Sequence, residues 1–218
     1  IDYSQRVNSF AHVNYTKDDP RIGILLCING TGISNSWAKK WTGAATYAEM
    51  NQQAATVAPG SNGLCFLPFG NGAERMLGNA NVGSQLSGID YNLHSRAHLY
   101  RAVQEGIAFS FRYGMNAFEE NGISLKVIRA GQANMFLSPL FAQTLSTLSG
   151  VNIELYDTDG AAGAARGALV GTGQVKLEEA FDSLEQLNFY APEKQQAGAY
   201  QEAYKNWEQQ LNQLLTKK

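Results

Sequence analysis

Three stretches of this sequence hold side chains whose types and spacing could do chemistry. The first is Asn29-Gly30-Thr31-Gly32-Ile33-Ser34-Asn35-Ser36, a glycine turn between an apolar run and a helical pattern. Such a turn can offer backbone N–H groups and a helix N-terminus to a phosphate or ribose. Glycine also serves plain turn geometry, and the pattern alone leaves both open. The second stretch is Arg129-Ala130-Gly131-Gln132-Ala133-Asn134-Met135-Phe136-Leu137-Ser138, which follows a strand pattern and precedes a helix. Ligands in open α/β sheets sit at the carboxyl ends of strands. There Gly131 would admit a ligand close to the backbone, and Gln132, Asn134 and Ser138 supply neutral hydrogen-bonding groups suited to a base or sugar. The alternative is an ordinary capping loop with Met135 and Phe136 as core plugs. The third is His94 and His98, at the i, i+4 spacing of two helical metal ligands. The run is His-Ser-Arg-Ala-His, with no Glu between. His94 also falls before the expected helix start, so both read as solvated residues there and no metal is assigned. Neither a GxSxG elbow nor a GxxxxGK[ST] loop is present in the sequence.

The elements that must position these residues follow from hydrophobic periodicity. Residues 5–14 alternate loosely and read as a strand, and Lys17–Pro20 as a polar turn. The near-continuous apolar run in 21–29 reads as a buried strand antiparallel to the first. Residues 33–41 and 42–58 read as helices, 59–63 as a loop, 64–69 as a short buried strand, and 70–88 as a long loop of the kind that is often functional. Residues 95–121 form the strongest helical pattern, with Leu99, Val103, Ile107 and Phe111 on one stripe and Gly122 suited to a left-handed cap. A strand over 125–129 follows, then a helix opened by Ser138-Pro139 and ending near Gly150. A strand over 152–156 comes next. Asp159 can cap a helix over 160–169, whose three glycines suggest close packing against another element. The tail, 177–218, reads as two helices. In the last, Tyr200, Tyr204, Trp207, Leu211 and Leu215 form one stripe, to be packed on this domain or used as a homodimer contact.

Helices joining successive strands imply parallel pairing. With the antiparallel start, the expectation is an α/β fold: a mixed sheet with helices on both faces, consistent with a ribonuclease-H-like or actin-like half. No repeat or linker divides the chain, so one domain is expected over 1–218, with a helical tail at 176–218.

Composition narrows the function. Hydrophobic residues make up 44% and charged residues 17% of the 218, enough for a real core. A net charge of −2 lacks the positive excess that a nucleic-acid or polybasic membrane role wants. No apolar run reaches the roughly 18 residues of a membrane-spanning helix. The two cysteines, Cys27 and Cys65, each lie beside apolar residues and read as reduced core thiols of a cytoplasmic protein. The first residue is Ile1, and the simplest expectation is a piece of a longer chain with no signal peptide.

Several segments, in order, carry a resemblance. Phe66-Leu67-Pro68-Phe69-Gly70-Asn71-Gly72-Ala73-Glu74-Arg75 is similar to an FLPY-x-x-GER loop with one extra residue. Ser84–Ile89 followed by His98–Gly106 looks like the second FGGY signature, with Gln104 where an apolar residue is usual. Ser138-Pro139-Leu140-Phe141-Ala142-Gln143 resembles an SPLW-x-Q segment, and 159–167 a glycine–alanine helix. Over roughly residues 20 to 172 the sequence thus resembles the C-terminal half of the FGGY-family carbohydrate kinases, in particular the xylulose kinases.

The resemblance implies two actin-like domains around a cleft and phosphorylation of a sugar hydroxyl with ATP and Mg2+. Other substrates in the family are gluconate, ribulose, fuculose and glycerol, and actin-like halves also build non-catalytic modules. It implies nucleotide contacts from Gly32 and Ser36 in the strand–helix turn, and from Gly131, Gln132, Asn134 and Ser138 in the adenosine loop. That loop departs from the usual GGGA-x-S, since its glycine run is largely gone. The GTSG phosphate turn, the catalytic Asp and the DxGT segment of the N-terminal kinase domain are not in this sequence. The implied partners are therefore that domain, ATP or ADP, and the sugar. This stretch alone is expected to hold no catalytic residue and to have no kinase activity.

Overall fold

The computed structural model describes residues 6–12 and 14–216. Residues 5 and 13 of the first expected strand lie outside the described residues.

The chain opens with an antiparallel hairpin, β1 (Asn8–Ala11) and β2 (Ile22–Leu25), in the register Asn8 to Leu25. Helix α1 (Thr31–Thr42) ends on the left-handed Gly43, and α2 (Tyr47–Ala55) starts where the Thr46 hydroxyl accepts the Glu49 N–H. Strand β3 (Cys65–Phe69) pairs antiparallel with β4 (Gly83–Ser87). The central helix α3 (Arg96–Glu120) follows, then β5 (Val127–Gly131), α4 (Pro139–Ser149), β6 (Asn152–Tyr156), α5 (Gly160–Gly171), β7 (Gln186–Tyr190) and α6 (Lys194–Thr216). The β5–β6 pair is parallel across α4, and β7 adds antiparallel to β6, which makes this three-stranded sheet mixed; the β1–β2 hairpin, expected to supply its antiparallel part, forms a separate two-stranded sheet.

The caps follow local chemistry. Ser138 caps α4 with Pro139 at its first position, and the Asp159 carboxylate accepts the Ala162 N–H at the start of α5. After α3, Gly122 takes φ +74°, a conformation open to glycine.

The core has two parts that share α3. One gathers Leu99, Val103 and Ile107 of α3 with Met50 and Ala54 of α2, Phe141 and Leu145 of α4, and Ile153 and Leu155 of β6. The other seats Tyr200, Tyr204, Trp207 and Leu211 of α6 on β3 and α3. The tail stripe therefore packs on its own domain. Trp207 is fully buried, and its indole Nε1–H donates to the Phe66 carbonyl at 2.9 Å. A buried ion pair locks the same region: Arg101 Nε meets Glu105 Oε1 at 2.6 Å, Arg101 Nη2 donates to the Tyr200 hydroxyl, and the Glu105 carboxylate accepts the Gly60 N–H.

Five sequence-based expectations are corrected. The stretch 70–88 is not all loop, because β4 forms there once β3 offers it a partner. The tail is one helix, not two: Gln186–Tyr190 is an edge strand of aromatic and apolar residues that β6 recruits. The second strand is not buried. Ile22 is 59% and Leu25 46% exposed, because β2 pairs with β1 alone among the described residues. Cys27 is exposed on leaving β2, while Cys65 is buried. Among the described residues the glycines of α5 serve no close packing: a Cβ at Gly160, Gly163 or Gly167 would meet nothing within 4 Å, and α5 buries no residue.

Candidate functional site

The turn that leads into α1 is fixed from below. A Cβ at Gly30 would overlap the Pro68 carbonyl oxygen, so only glycine lets the turn lie against β3. The Asn29 side chain donates to the Ala73 carbonyl at 3.0 Å, and Asn71 donates to the Asn29 carbonyl at 3.1 Å. Beneath them Glu74, wholly buried, accepts the Asn29 N–H. Burial pushes the Glu74 carboxyl above its usual range, against the pull of the Asn29 and Gly30 N–H groups.

Facing the first turn of α1 is the segment that follows β5. Asn134 sits at φ +52°, a left-handed conformation that Asn tolerates better than most residues. It turns the chain into a short 3-10 helix, Asn134–Leu137, that delivers Ser138 to the N-terminus of α4. Tyr47 and Asn51 of α2 complete the walls. Between these three elements lies a cavity of about 240 Å³, lined by Gly32, Asn35, Tyr47, Asn51, Asn134, Met135, Leu137 and Ser138. Its polar lining is neutral amide and hydroxyl, with apolar Met135 and Leu137, a mixture suited to a flat heterocycle with polar edges.

Of the residues expected at a site, the fold brings Gly32, Asn134 and Ser138 to this one cavity. Ser36 lies one turn further along α1, outside the lining. Gly131 is outside it too, and its lack of a side chain has another cause: a Cβ there would overlap the Thr158 carbonyl oxygen in the loop after β6. Gln132 is engaged elsewhere, its N–H on the Tyr156 carbonyl and its Oε1 accepting from Asn188 at 2.7 Å. Ser138 is 4% exposed; its hydroxyl accepts the Phe141 N–H and donates to Gln104 Oε1 at 2.6 Å.

The sequence reading names neither Tyr47 nor Asn51, and Asn35 only as part of the glycine turn. The one usable signal is Gln104, which stands where the resembled signature usually has an apolar residue. It is 1% exposed, and its Nε2 donates to Asn51 Oδ1 at 2.9 Å. A larger cavity of about 390 Å³ lies on the other side of α1, walled by Ile33, Trp37, Phe66 and Leu86. It is mostly apolar, and none of the expected site residues reaches it.

The histidine pair serves the start of α3. His98 Nδ1 accepts the Ser95 N–H at 3.2 Å, and His94 Nδ1 accepts the Asp90 N–H at 2.9 Å. Burial, and then the neighbouring His94, lower the His98 pKa.

Residues 22–172 match the model of the FGGY family of carbohydrate kinases, C-terminal domain. The chain is 31% identical over 173 residues to a xylulose kinase of Haemophilus influenzae, covering 76% of this chain and 34% of that protein. It therefore spans about a third of the length of that relative. Among solved structures, a ligand-bound xylulose kinase from Lactobacillus acidophilus superposes with a TM-score of 0.80 at 23% identity, over 98% of this chain and 43% of the other. A Plasmodium falciparum glycerol kinase with ADP also gives 0.80, at 19% identity, over 96% and 42%. These likenesses establish the actin-like fold expected from the sequence.

Proposed function

The chain belongs to the FGGY family of carbohydrate kinases through its C-terminal domain, and on that premise we propose that it is the nucleotide-binding part of an ATP-dependent sugar kinase. The substrate we assign is a xylulose-type ketose, after the xylulose kinases it is similar to. The proposed unit is the whole of 1–218, with the tail helix as an integral support. It works with an N-terminal kinase domain that supplies the catalytic Asp, in a cytoplasmic protein. No helix among the described residues is long and apolar enough to cross a membrane. The exposed β1–β2 hairpin is the edge that the rest of such a kinase, or a second copy, would cover.

The observation that carries the nucleotide reading is the 240 Å³ cavity that unites Gly32, Asn134 and Ser138. The residues present fit an adenosine nucleotide. Asn35 lines the cavity, and its Oδ1 is a buried acceptor without a donor among the described residues. A Cβ at Gly32 would stand in open space at the wall. The base would lie between α1, α2 and the Asn134–Ser138 segment. The first turn of α1 would offer N–H groups toward the phosphates. When bound, ATP supplies the phosphoryl group that passes to the sugar hydroxyl. Mg2+ would enter with the phosphates. No cluster of three His, Cys, Asp or Glu residues that could hold a metal stands among the described residues.

A second reading has its own support. Gly131 is packed against Thr158, and Gln132 is tied to Asn188 where the family's glycine run would lie. That arrangement favours a module that has lost nucleotide. Calorimetric titration of the 218-residue chain with Mg-ATP and Mg-ADP separates the two. Saturable one-site binding, without sugar-dependent ADP release, is the expected result. Absence of binding overturns the nucleotide reading in favour of the non-catalytic module. A kinase for another polyol, favoured by the glycerol kinase fold match, would be recognised by sugar-dependent turnover of the longer protein.

A further inference from the structure

A chain of hydrogen bonds with a fixed direction ends at the wall of the 240 Å³ cavity. It begins at the Phe141 N–H, which can only donate, and does so to Ser138 Oγ at 3.3 Å. The Ser138 hydroxyl, buried, passes its own proton to Gln104 Oε1 at 2.6 Å. That leaves the amide nitrogen of Gln104 to donate to Asn51 Oδ1 at 2.9 Å. Reversing one amide alone would set donor against donor or acceptor against acceptor, and reversing both would take from the buried Ser138 proton the acceptor it has in Gln104 Oε1. Asn51 lines the cavity with its oxygen already engaged, so what it has to offer is Nδ2–H, a donor whose polarity the core dictates. Asn35, on the same cavity, has the opposite need. Its Oδ1 is screened from solvent and has no donor among the described residues. Its χ2 is a soft torsion, so rotation about it can turn that oxygen toward an incoming donor.

We infer that Asn51 and Asn35 read the Watson–Crick edge of an adenine base, Asn51 Nδ2 donating to ring N1 and Asn35 Oδ1 accepting from the exocyclic amino group, with Gln104 as the positioning residue that sets the polarity of Asn51. This rests on the nucleotide reading above and adds base selectivity to it. Adenine carries an amino donor beside the N1 acceptor. Hypoxanthine and guanine carry an O6 acceptor beside an N1–H donor, which inverts both contacts. Enzymes that select a base commonly do so by hydrogen bonds on this edge. A volume of about 240 Å³ falls below the roughly 300–1,000 Å³ of drug-sized pockets, as suits a base rather than a whole nucleotide.

The test compares ADP with IDP, which differ at this edge. Calorimetric titration of the 218-residue chain should give ADP about tenfold or more tighter, as two matched against two opposed hydrogen bonds imply. Asn51→Asp keeps the shape and the bond from Gln104 but presents an acceptor to N1, so the ADP preference should vanish or invert. Gln104→Leu frees the Asn51 amide to turn, and the ADP-to-IDP ratio should fall several-fold while ADP still binds. Thermal melts confirm that each variant is folded. If both nucleotides weaken equally in the variants, or the wild type binds both alike, the inference is overturned and the nucleotide reading stands. If neither nucleotide binds the wild type, both are overturned.

Discussion

Glu74 holds Asn29 from 45 residues away in sequence: its two carboxylate oxygens accept the Asn29 backbone N–H at 3.1 and 3.0 Å. Asn29 is the residue at which the chain turns from the first hairpin toward α1, so this carboxylate fixes the entry to the cavity wall. It does so from a site with no solvent exposure, and burial raises its pKa from an ordinary value of 4.5.

Glu74→Gln should loosen that turn. An amide offers one acceptor and sets an NH2 group against a backbone donor, which costs about 1–3 kcal/mol for the group left unpaired. The variant should melt earlier and bind ADP more weakly. The pH dependence has a definite sign. A carboxyl whose folded pKa is raised binds its proton more tightly when folded. Its stability contribution is thus fully present below 4.5 and is lost as pH rises through the raised value. Gln does not titrate, so the stability gap between wild type and variant should narrow as pH rises above 4.5. Melting curves at a series of pH values measure the gap, and one that widens toward neutral pH would contradict this account.

The tail helix is part of the core. Trp207 is fully buried against Phe69, Phe109 and Tyr204, and its N–H is spent on the Phe66 carbonyl. Trp207→Ala should cost about 3–5 kcal/mol, read as a lower urea midpoint. A midpoint equal to wild type would show that the tail is not a structural support.

The two cysteines differ sharply. Cys65 is buried in β3, and desolvation pushes its thiol up to about 12. Cys27 is exposed. Because the thiolate is the reactive form, maleimide should label native protein once, at Cys27, with Cys65 reacting only after unfolding. Mass spectrometry of the peptides decides it, and rapid native labelling of Cys65 would contradict its placement.

Much of the local structure was legible from sequence because its causes are local. The α3 stripe of Leu99, Val103 and Ile107, the Asp159 cap and the Gly122 terminus each follow from a few neighbouring residues. The strands β4 and β7 were missed because their partners, not their own propensities, make them strands. Gly-Ser-Gln-Leu-Ser is a strand only beside β3. Leu187, Asn188, Phe189 and Tyr190 could continue a helix but pair with β6 instead. Glycine and loop signals name Gly32, Asn134 and Ser138, which line the cavity. Asn51 carries no signal of its own in a helix of mostly small and polar residues, and only the packing of α2 on α3 and α4 turns it to the cavity. The same limit explains Gly131, whose role is set by Thr158 in a distant loop.

The central claim is that the cavity beside Gly32 takes a nucleotide, and Gly32 allows a clean test. A Cβ there meets nothing within 4 Å and φ is not in the left-handed region, so a side chain can start from this position without a backbone clash. Gly131 would not serve, because any side chain there would strike Thr158. The decisive measurement is Mg-ADP affinity of wild type and Gly32→Trp by calorimetry, with melting curves on both. The account predicts saturable binding to the wild type, lowered by about tenfold or more in Gly32→Trp, at a melting temperature no lower than wild type. Equal affinity in both proteins would contradict it and place the nucleotide somewhere other than this cavity.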